Sequence, residues 1–557
     1  MLMKKSELIK LLKEDRIKLD KDDKEYVLEN LDLSRAADLI VYYLITKNKD
    51  LFRKKYYNLD IMEIYNNRHL FKVLFESNRE YIKVLDKIFY TDIYKSASIK
   101  AKKEMLMKFL HLRMEYIDKD FRLCYNLFKQ LLYNEIREKN DEMVFFLYVP
   151  LIFSYLHSAA SADELRKFNS EVDRKISKFI KEVMIKKYDI KPVKNSYNNE
   201  KKKVGFLIDR ALLHSPNNIA KELFKILGSL KEENYEFYIL NMEFCDLGPG
   251  NERVEELFIS MGLRYINFHK KLNCVKSTFY NQVQKALKIR EFIVNEKFDI
   301  LISNGILHPT VHFLFTTRTA PKQIYWSHGN CAIDFEGIDE RISHFQQECS
   351  EFEWKIFEIP FSKEELVGSE EEKKEGLRIK KRLLEKYGQD TVILGTIGRL
   401  VKIDSDEYLK VIAEIMKKNQ NTIYLACGSG NNEGIKEKIK KYGIPEGRFI
   451  FTGFVNKHVY GWVIDVWPDS FPLRQGQSKN EYIAKGGVVV FMDEYLNDTI
   501  RNWYKEFELK DIIMSKDIKS YIKNVNLLIR DKNLRPQISN TNKNLFQKMN
   551  INYKKFL

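Results

Sequence analysis

The sequence predicts an α/β protein in which two doubly wound domains follow an all-helical one, and three observations predict it. Residues 1–204 contain no glycine and two prolines, Pro150 and Pro192, whereas all 23 glycines fall in 205–557. From Lys203 onward, short apolar runs alternate with amphipathic helical segments, the pattern of strands laid in one sheet with helices on its faces. After a charged helical stretch from Ser362 to Tyr387 the pattern starts again, which makes a second sheet. The expected domains are therefore 1–195, all helical; 203–385, the first α/β domain; 390–535, the second; and a tail helix over 536–557 that is expected to cross back onto the first α/β domain.

In the first part, apolar residues recur at three-to-four spacing, as at Met105, Phe109, Leu112, Met114 and Tyr116, and Ser161 with Glu164 has the spacing of a capping box. No fixed-period repeat is present, so a helical repeat array is not expected. Such a domain serves either as a docking surface or as plain structural support. The polar, Asn- and Lys-rich segment Pro192–Lys203 reads as its linker. Strands are expected at Val204–Ile208, Tyr235–Leu240, Leu263–Phe268, Asp299–Ser303 and Gln323–Trp326, with helices near 217–229 and 279–294. In the second domain they are expected at Val392–Ile397, Thr422–Cys427, Phe449–Phe454, Val463–Val466 and Val488–Phe491.

Composition narrows the function. At 557 residues the chain is too long for one core, and its 44% apolar content, with 36 Phe and 31 Tyr, is that of a globular protein. No apolar run approaches the roughly 18 residues of a membrane span. The N-terminus is charged throughout and lacks the apolar region of a signal peptide, so a cytoplasmic protein is expected. The six cysteines are scattered, with no CxxC pair and no His at metal-ligand spacing, so neither a disulfide framework nor a metal site is expected. The net charge of +16 favours anionic partners. The basic residues are spread along the chain without an aromatic-basic module, which argues against nucleic acid and for a phosphorylated small molecule.

One stretch carries most of the chemistry: Phe471–Gly487, FPLRQGQSKNEYIAKGG, between an apolar strand and a helix. Ser478 and Glu481 stand at capping-box spacing, which places the start of the helix, with its free backbone N–H groups, around Ser478. A helix start is a phosphate site, and the Glu481 carboxylate one step further in can accept from the two hydroxyls of a ribose. The alternative is that Ser478 and Glu481 merely cap each other. At the end of the first strand of the same domain, Gly398-Arg399-Leu400-Val401-Lys402-Ile403-Asp404 offers two cations to the cleft. Lys402 there can neutralise a diphosphate and carry the charge that builds on it as a sugar departs, or can be a solvated lysine before a helix. Cys427-Gly428-Ser429-Gly430-Asn431 is a second glycine loop, equally readable as a turn. His458 follows the next strand, where its ring can stack on a base, and His214 lies just past the first strand of the first domain.

Val401-Lys402-Ile403-Asp404, Ala320-Pro321-Lys322-Gln323 followed by His328-Gly329, and Phe471-Pro472 with an acid nine residues after the proline resemble the O-GlcNAc transferases and the bacterial adhesin-modifying N-glycosyltransferases of the glycosyltransferase-B (GT-B) superfamily. The resemblance covers about 350 residues from 203 onward, and the helical first part looks like the domain that precedes the transferase in the bacterial branch. It implies two Rossmann-like domains, with UDP held in the second. Lys402 falls on the diphosphate loop, with Arg399 expected beside it as a second cation for the nucleotide, Gln323 on a segment bordering the active site, and His458 on the uracil-stacking histidine. Gly476, Gln477 and Ser478 fall on the nucleotide loop, Glu481 on the ribose-binding acid and His214 on the active-site histidine. Glu stands at 481 where the family has Asp, 474–478 differs from its Asn/Gly/Thr-rich loop, and 327–330 departs from its Gly-His-Pro or Gly-Tyr-Pro. Many retaining members of the superfamily carry a Glu eight positions before the ribose acid. That position is Leu473 here, so inversion is expected.

The implied activity is metal-independent, inverting transfer of a hexose, of glucose or GlcNAc type, from a UDP-sugar to a protein acceptor such as a bacterial adhesin, with no cofactor beyond the donor. A homo-oligomer is left open. Two rivals share the donor half: an enzyme glycosylating a surface polysaccharide or lipid-linked glycan, and a non-catalytic transferase-like subunit.

Overall fold

The computed structural model describes residues 4–549 apart from 57, 60–62, 64–66, 68–88, 90, 91, 113–120, 159–165, 214, 231–233, 245–249, 273–280, 307, 330–332, 345, 346, 348–350, 358, 360, 431, 446, 497–500, 502 and 503. The chain divides into two compact units, Met1–Pro150 and Leu151–Leu557. The first is helical among its described residues, with helices that include Ala36–Thr46, Ile99–Leu112 and Phe121–Arg137. Leu39, Ile40 and Val41 are fully buried in one of them, and Phe128 and Leu132 in another. Lys103, fully buried, meets Glu142 at 2.6 Å, which satisfies a charge that burial alone would not tolerate. Met114, Tyr116, Ser161 and Glu164 of the sequence reading lie outside the described residues.

The second unit holds two sheets, and every strand pair in them is parallel. The first contains β1 (Lys202–Ile208), β2 (Tyr235–Asn241), β3 (Arg264–Asn267), β4 (Ile300–Asn304), β5 (Lys322–Ser327), β6 (Glu340–Ser343) and β7 (Lys355–Ile356), in the order 3-2-1-4-5-6-7. The second contains β8 (Val392–Ile397), β9 (Thr422–Cys427), β10 (Phe449–Gly453), β11 (Val466–Pro468), β12 (Val488–Met492) and β13 (Met514–Ser515), in the order 10-9-8-11-12-13. Both are the doubly wound order, in which the winding reverses beside the first strand of each sheet. Helices on both faces bury the central strands, which is why Val392–Ile397 and Val488–Met492 are apolar without alternation and buried throughout.

Two boundaries differ from the sequence reading. The division into units falls at Pro150, not near 195, because the helical run Asn169–Lys187 packs on the first α/β domain. Its Ser177 hydroxyl meets His312 Nε2 at 2.7 Å, and Arg174 pairs with Asp334 at 2.6 Å. The strand expected at Val463–Val466 begins instead at Val466. The amides of Val463 and Ile464 both donate to Tyr460 O, closing the short helix before them, and pairing to β8 starts only at Asp465. β6, β7 and β13, unforeseen, are short, and their few residues carry no apolar run.

The last described helix, Leu534–Met549, packs on the second α/β domain rather than the first. Its Asn542 donates to Gly487 O at 2.7 Å and accepts from the Tyr504 hydroxyl. Residues 550–557 lie outside the described residues.

Candidate functional site

The site is built at the switch point of the second sheet, between β8 and β11. Beyond Ile397 the chain passes Gly398 and the exposed Arg399 into a 3₁₀ turn, Leu400–Ile403, on which Lys402 is half-buried. Beyond Pro468 it passes through a loop containing a cis Phe471–Pro472 bond into the helix Gln477–Ala484. The Ser478 hydroxyl donates to Ile397 O at 2.5 Å, so the helix start is fixed to the end of β8. Close approach of these loops needs glycine. A Cβ on Gly398 would lie 2.0 Å from Gln475 Oε1, and one on Gly428 would lie 1.7 Å from Gly398 O. The Gly428–Gly430 loop thus backs the Lys402 loop, and Leu400 N donates to Ser429 O at 3.0 Å.

Ser478 and Glu481 do not form the expected capping box. The N-cap lies two residues earlier, at Gly476, and no side chain caps the helix. Ser478 turns to Ile397, and Glu481 turns inward to Lys457 Nζ at 2.6 Å. Glu481 is 1% exposed, and its Oε2 has no hydrogen-bond partner among the described residues. Burial holds its pKa above the ordinary carboxylate value, against the pull of Lys457. A buried acceptor left unsatisfied costs about 1–3 kcal/mol, which a ligand hydroxyl recovers.

The loop before the helix is fixed by Asp469. Its carboxylate accepts from Trp467 Nε1 at 3.3 Å and Gln475 N at 3.4 Å through one oxygen, and meets Lys479 Nζ at 3.1 Å through the other. Its carbonyl accepts from the Tyr521 hydroxyl at 2.9 Å, and its amide donates to Val490 O. The Asp469–Lys479 pair is 3% exposed on both sides. Sequence reasoning missed it, since a spacing of ten residues across a loop has no periodic signature.

His458 lies on the short helix Lys457–Tyr460, and its Nδ1 is 3.2 Å from Lys485 Nζ. Burial, helped by Lys485 and Lys457, lowers its pKa to about 4, so the ring is neutral near pH 7. Lys485, also buried, donates to Leu366 O at 2.8 Å and Glu481 O at 3.1 Å, and burial lowers its pKa to about 8. The structure therefore gathers Gly476, Gln477, Ser478, Glu481 and His458 with the two lysines, and joins them through Ser478 to the loop bearing Arg399 and Lys402.

Gln323 is placed elsewhere. Fully buried at the start of β5, it accepts from Thr319 N at 2.9 Å and donates to Phe315 O at 2.9 Å and Gly337 O at 2.7 Å. Its amide holds together the backbone of its own domain. His214 and Asn330 lie outside the described residues. Among those described, no three His, Cys, Asp or Glu side chains converge as a metal site would require, and no helix is long and apolar enough to cross a membrane.

No protein-family model matches this sequence, and no curated protein does. Solved structures do. A mutant of the Thermobaculum terrenum O-GlcNAc transferase superposes with a TM-score of 0.52 over 99% of this chain and 95% of its own, at 13% identity. The chain has the GT-B fold. Other GT-B-type matches are more distant. Anabaena HepE in complex with UDP and glucose has a TM-score of 0.42 over 64% of this chain and 99% of its own, at 14% identity. A Rickettsia africae glycosyltransferase has 0.39 over 64% and 97%, also at 14%. The switch point with the uncapped helix belongs to the second sheet.

Proposed function

We propose that the protein is an inverting, metal-independent glycosyltransferase that moves a hexose from a UDP-sugar to a protein acceptor. The observation that carries this reading is Glu481, a buried carboxylate with one oxygen unpartnered, one turn inside an uncapped helix start at the switch point. Ribose hydroxyls donate to the carboxylate, and the diphosphate meets the N–H groups at Gly476, Gln477 and Ser478, where the helix dipole favours negative charge. Lys402, with Arg399 beside it, faces the same phosphates. An acceptor nucleophile attacks the anomeric carbon from the side opposite UDP and gives up its proton to a base, the role proposed for His214; the bond from that carbon to the β-phosphate oxygen breaks, and Lys402 and the helix start carry the charge left on UDP. The neutral ring of His458 suits stacking on a base. The helical first unit is the part proposed to dock a protein acceptor.

The test is a thermal shift of the purified chain with nucleotides. UDP is expected to stabilise it more than GDP or CMP and to do so in EDTA; a larger shift with GDP, or loss of the UDP effect in EDTA, overturns the reading.

A further inference from the structure

A chain of charges leaves the nucleotide site and ends on the other α/β domain. Lys457 Nζ is 2.6 Å from Glu481 Oε1 and 3.6 Å from Glu365 Oε1. The other oxygen of Glu365 lies 2.8 Å from Lys221 Nζ, which is itself 3.4 Å from Glu222. Glu481 and Lys457 stand on helices of the second domain, and Glu365 on the helix Lys363–Val367 that joins the domains. Lys221 and Glu222 stand on Ser215–Ser229, the helix that follows β1 in the first domain. Glu365 and Lys221 are 14% and 12% exposed, so solvent screens this link less than it would a surface pair.

We infer that Glu365 is a positioning residue that couples occupancy of the nucleotide site to the placement of the helix Ser215–Ser229 on the facing domain. The inference rests on the reading of Glu481 as the ribose acid. Lys457 sits between two carboxylates and is nearer to Glu481. Ribose hydroxyls that donate to the open Oε2 of Glu481 draw on the charge of the whole carboxylate and weaken the hold of Oε1 on Lys457, so the ammonium gains by moving toward Glu365. Glu365 then bridges a lysine from each domain, and the first domain is held in one place against the second. Coupling of this kind is a difference in free energy between two arrangements, so it must appear as a ligand effect at Ser215–Ser229 that depends on Glu365.

Amide hydrogen exchange on the full chain, with and without saturating UDP, tests it. UDP is expected to slow exchange in Gln477–Ala484 and, by about five-fold or more, in Ser215–Ser229. Glu365→Gln is expected to keep the first effect and lose the second. Lys221→Met cuts the same link from the other domain and serves where Glu365→Gln does not fold, while Lys221→Arg is expected to retain the coupling. Protection of Gln477–Ala484 alone in the native chain, or protection of Ser215–Ser229 that survives both cuts, overturns the inference and leaves the donor reading standing. Absence of any UDP effect at Gln477–Ala484 overturns both.

Discussion

Lys402 separates a catalytic cation from a solvated one. A lysine that merely faces water can be removed within about half a kcal/mol of stability and without effect on turnover. One that meets the leaving diphosphate binds more strongly as charge develops, so its loss falls on the transition state. Lys402→Ala is therefore expected to melt like the native chain and still bind UDP, while transfer slows by about a hundred-fold or more; steady-state kinetics beside a melting curve checks it. His458 yields a pH signature. Its folded pKa, about 4, lies below the unfolded value of 6.5, so between those values the unfolded chain holds more protons, and native stability falls as pH falls through that window. His458→Gln is expected to lose less melting temperature than the native chain between pH 6.5 and 4, as a pair of melting series would show. Glu481 was legible as an acid near a helix start because its position after a strand and a loop is a local pattern. Its partner Lys457, the Asp469–Lys479 pair and Glu365 were not, since each is brought to the site by tertiary contact.

Among the elements, the loops at the switch point are matched so closely that added volume has nowhere to go. A Cβ on Gly428 would meet the carbonyl of Gly398, a backbone atom that cannot swing aside as a side chain end can. Gly428→Ala is expected to destabilise by about 2 kcal/mol or more, measurable by denaturant titration, and to impair transfer beyond what stability explains because the Lys402 loop shifts. The glycines of this loop were visible in the sequence, but their purpose was not, since a turn and a close approach look alike in one dimension. The strands of both sheets were readable as apolar runs, and β11 was displaced only because its run continues through the end of the preceding helix. The expected capping box failed for a related reason. Spacing gives the pair that can cap, whereas the open carbonyl of Ile397 and the ammonium of Lys457 decided where the two side chains went.

For the whole molecule, the glycine boundary marked where helix gives way to sheet, and the packing boundary lies earlier. Ile176, Phe179, Ile180 and Met184 are buried in the helical run that packs on the first α/β domain. A chain beginning at 191 loses them, together with Ser177 and Arg174, and is expected to be less stable than one beginning at 151 by roughly 5 kcal/mol. Comparing the two in urea checks this, and acceptor-docking experiments should accordingly remove residues only as far as 150. The loop around Asp469 has a different bearing on the molecule as a whole. Because that carboxylate, its carbonyl and its amide already tie down Trp467, Gln475, Lys479, Tyr521 and Val490, the entropy of ordering this loop is lost when the chain folds, and a nucleotide bound as proposed does not lose it again. The expected consequence of that reading is an association entropy less unfavourable than for a loop that orders on binding, which calorimetry with UDP checks.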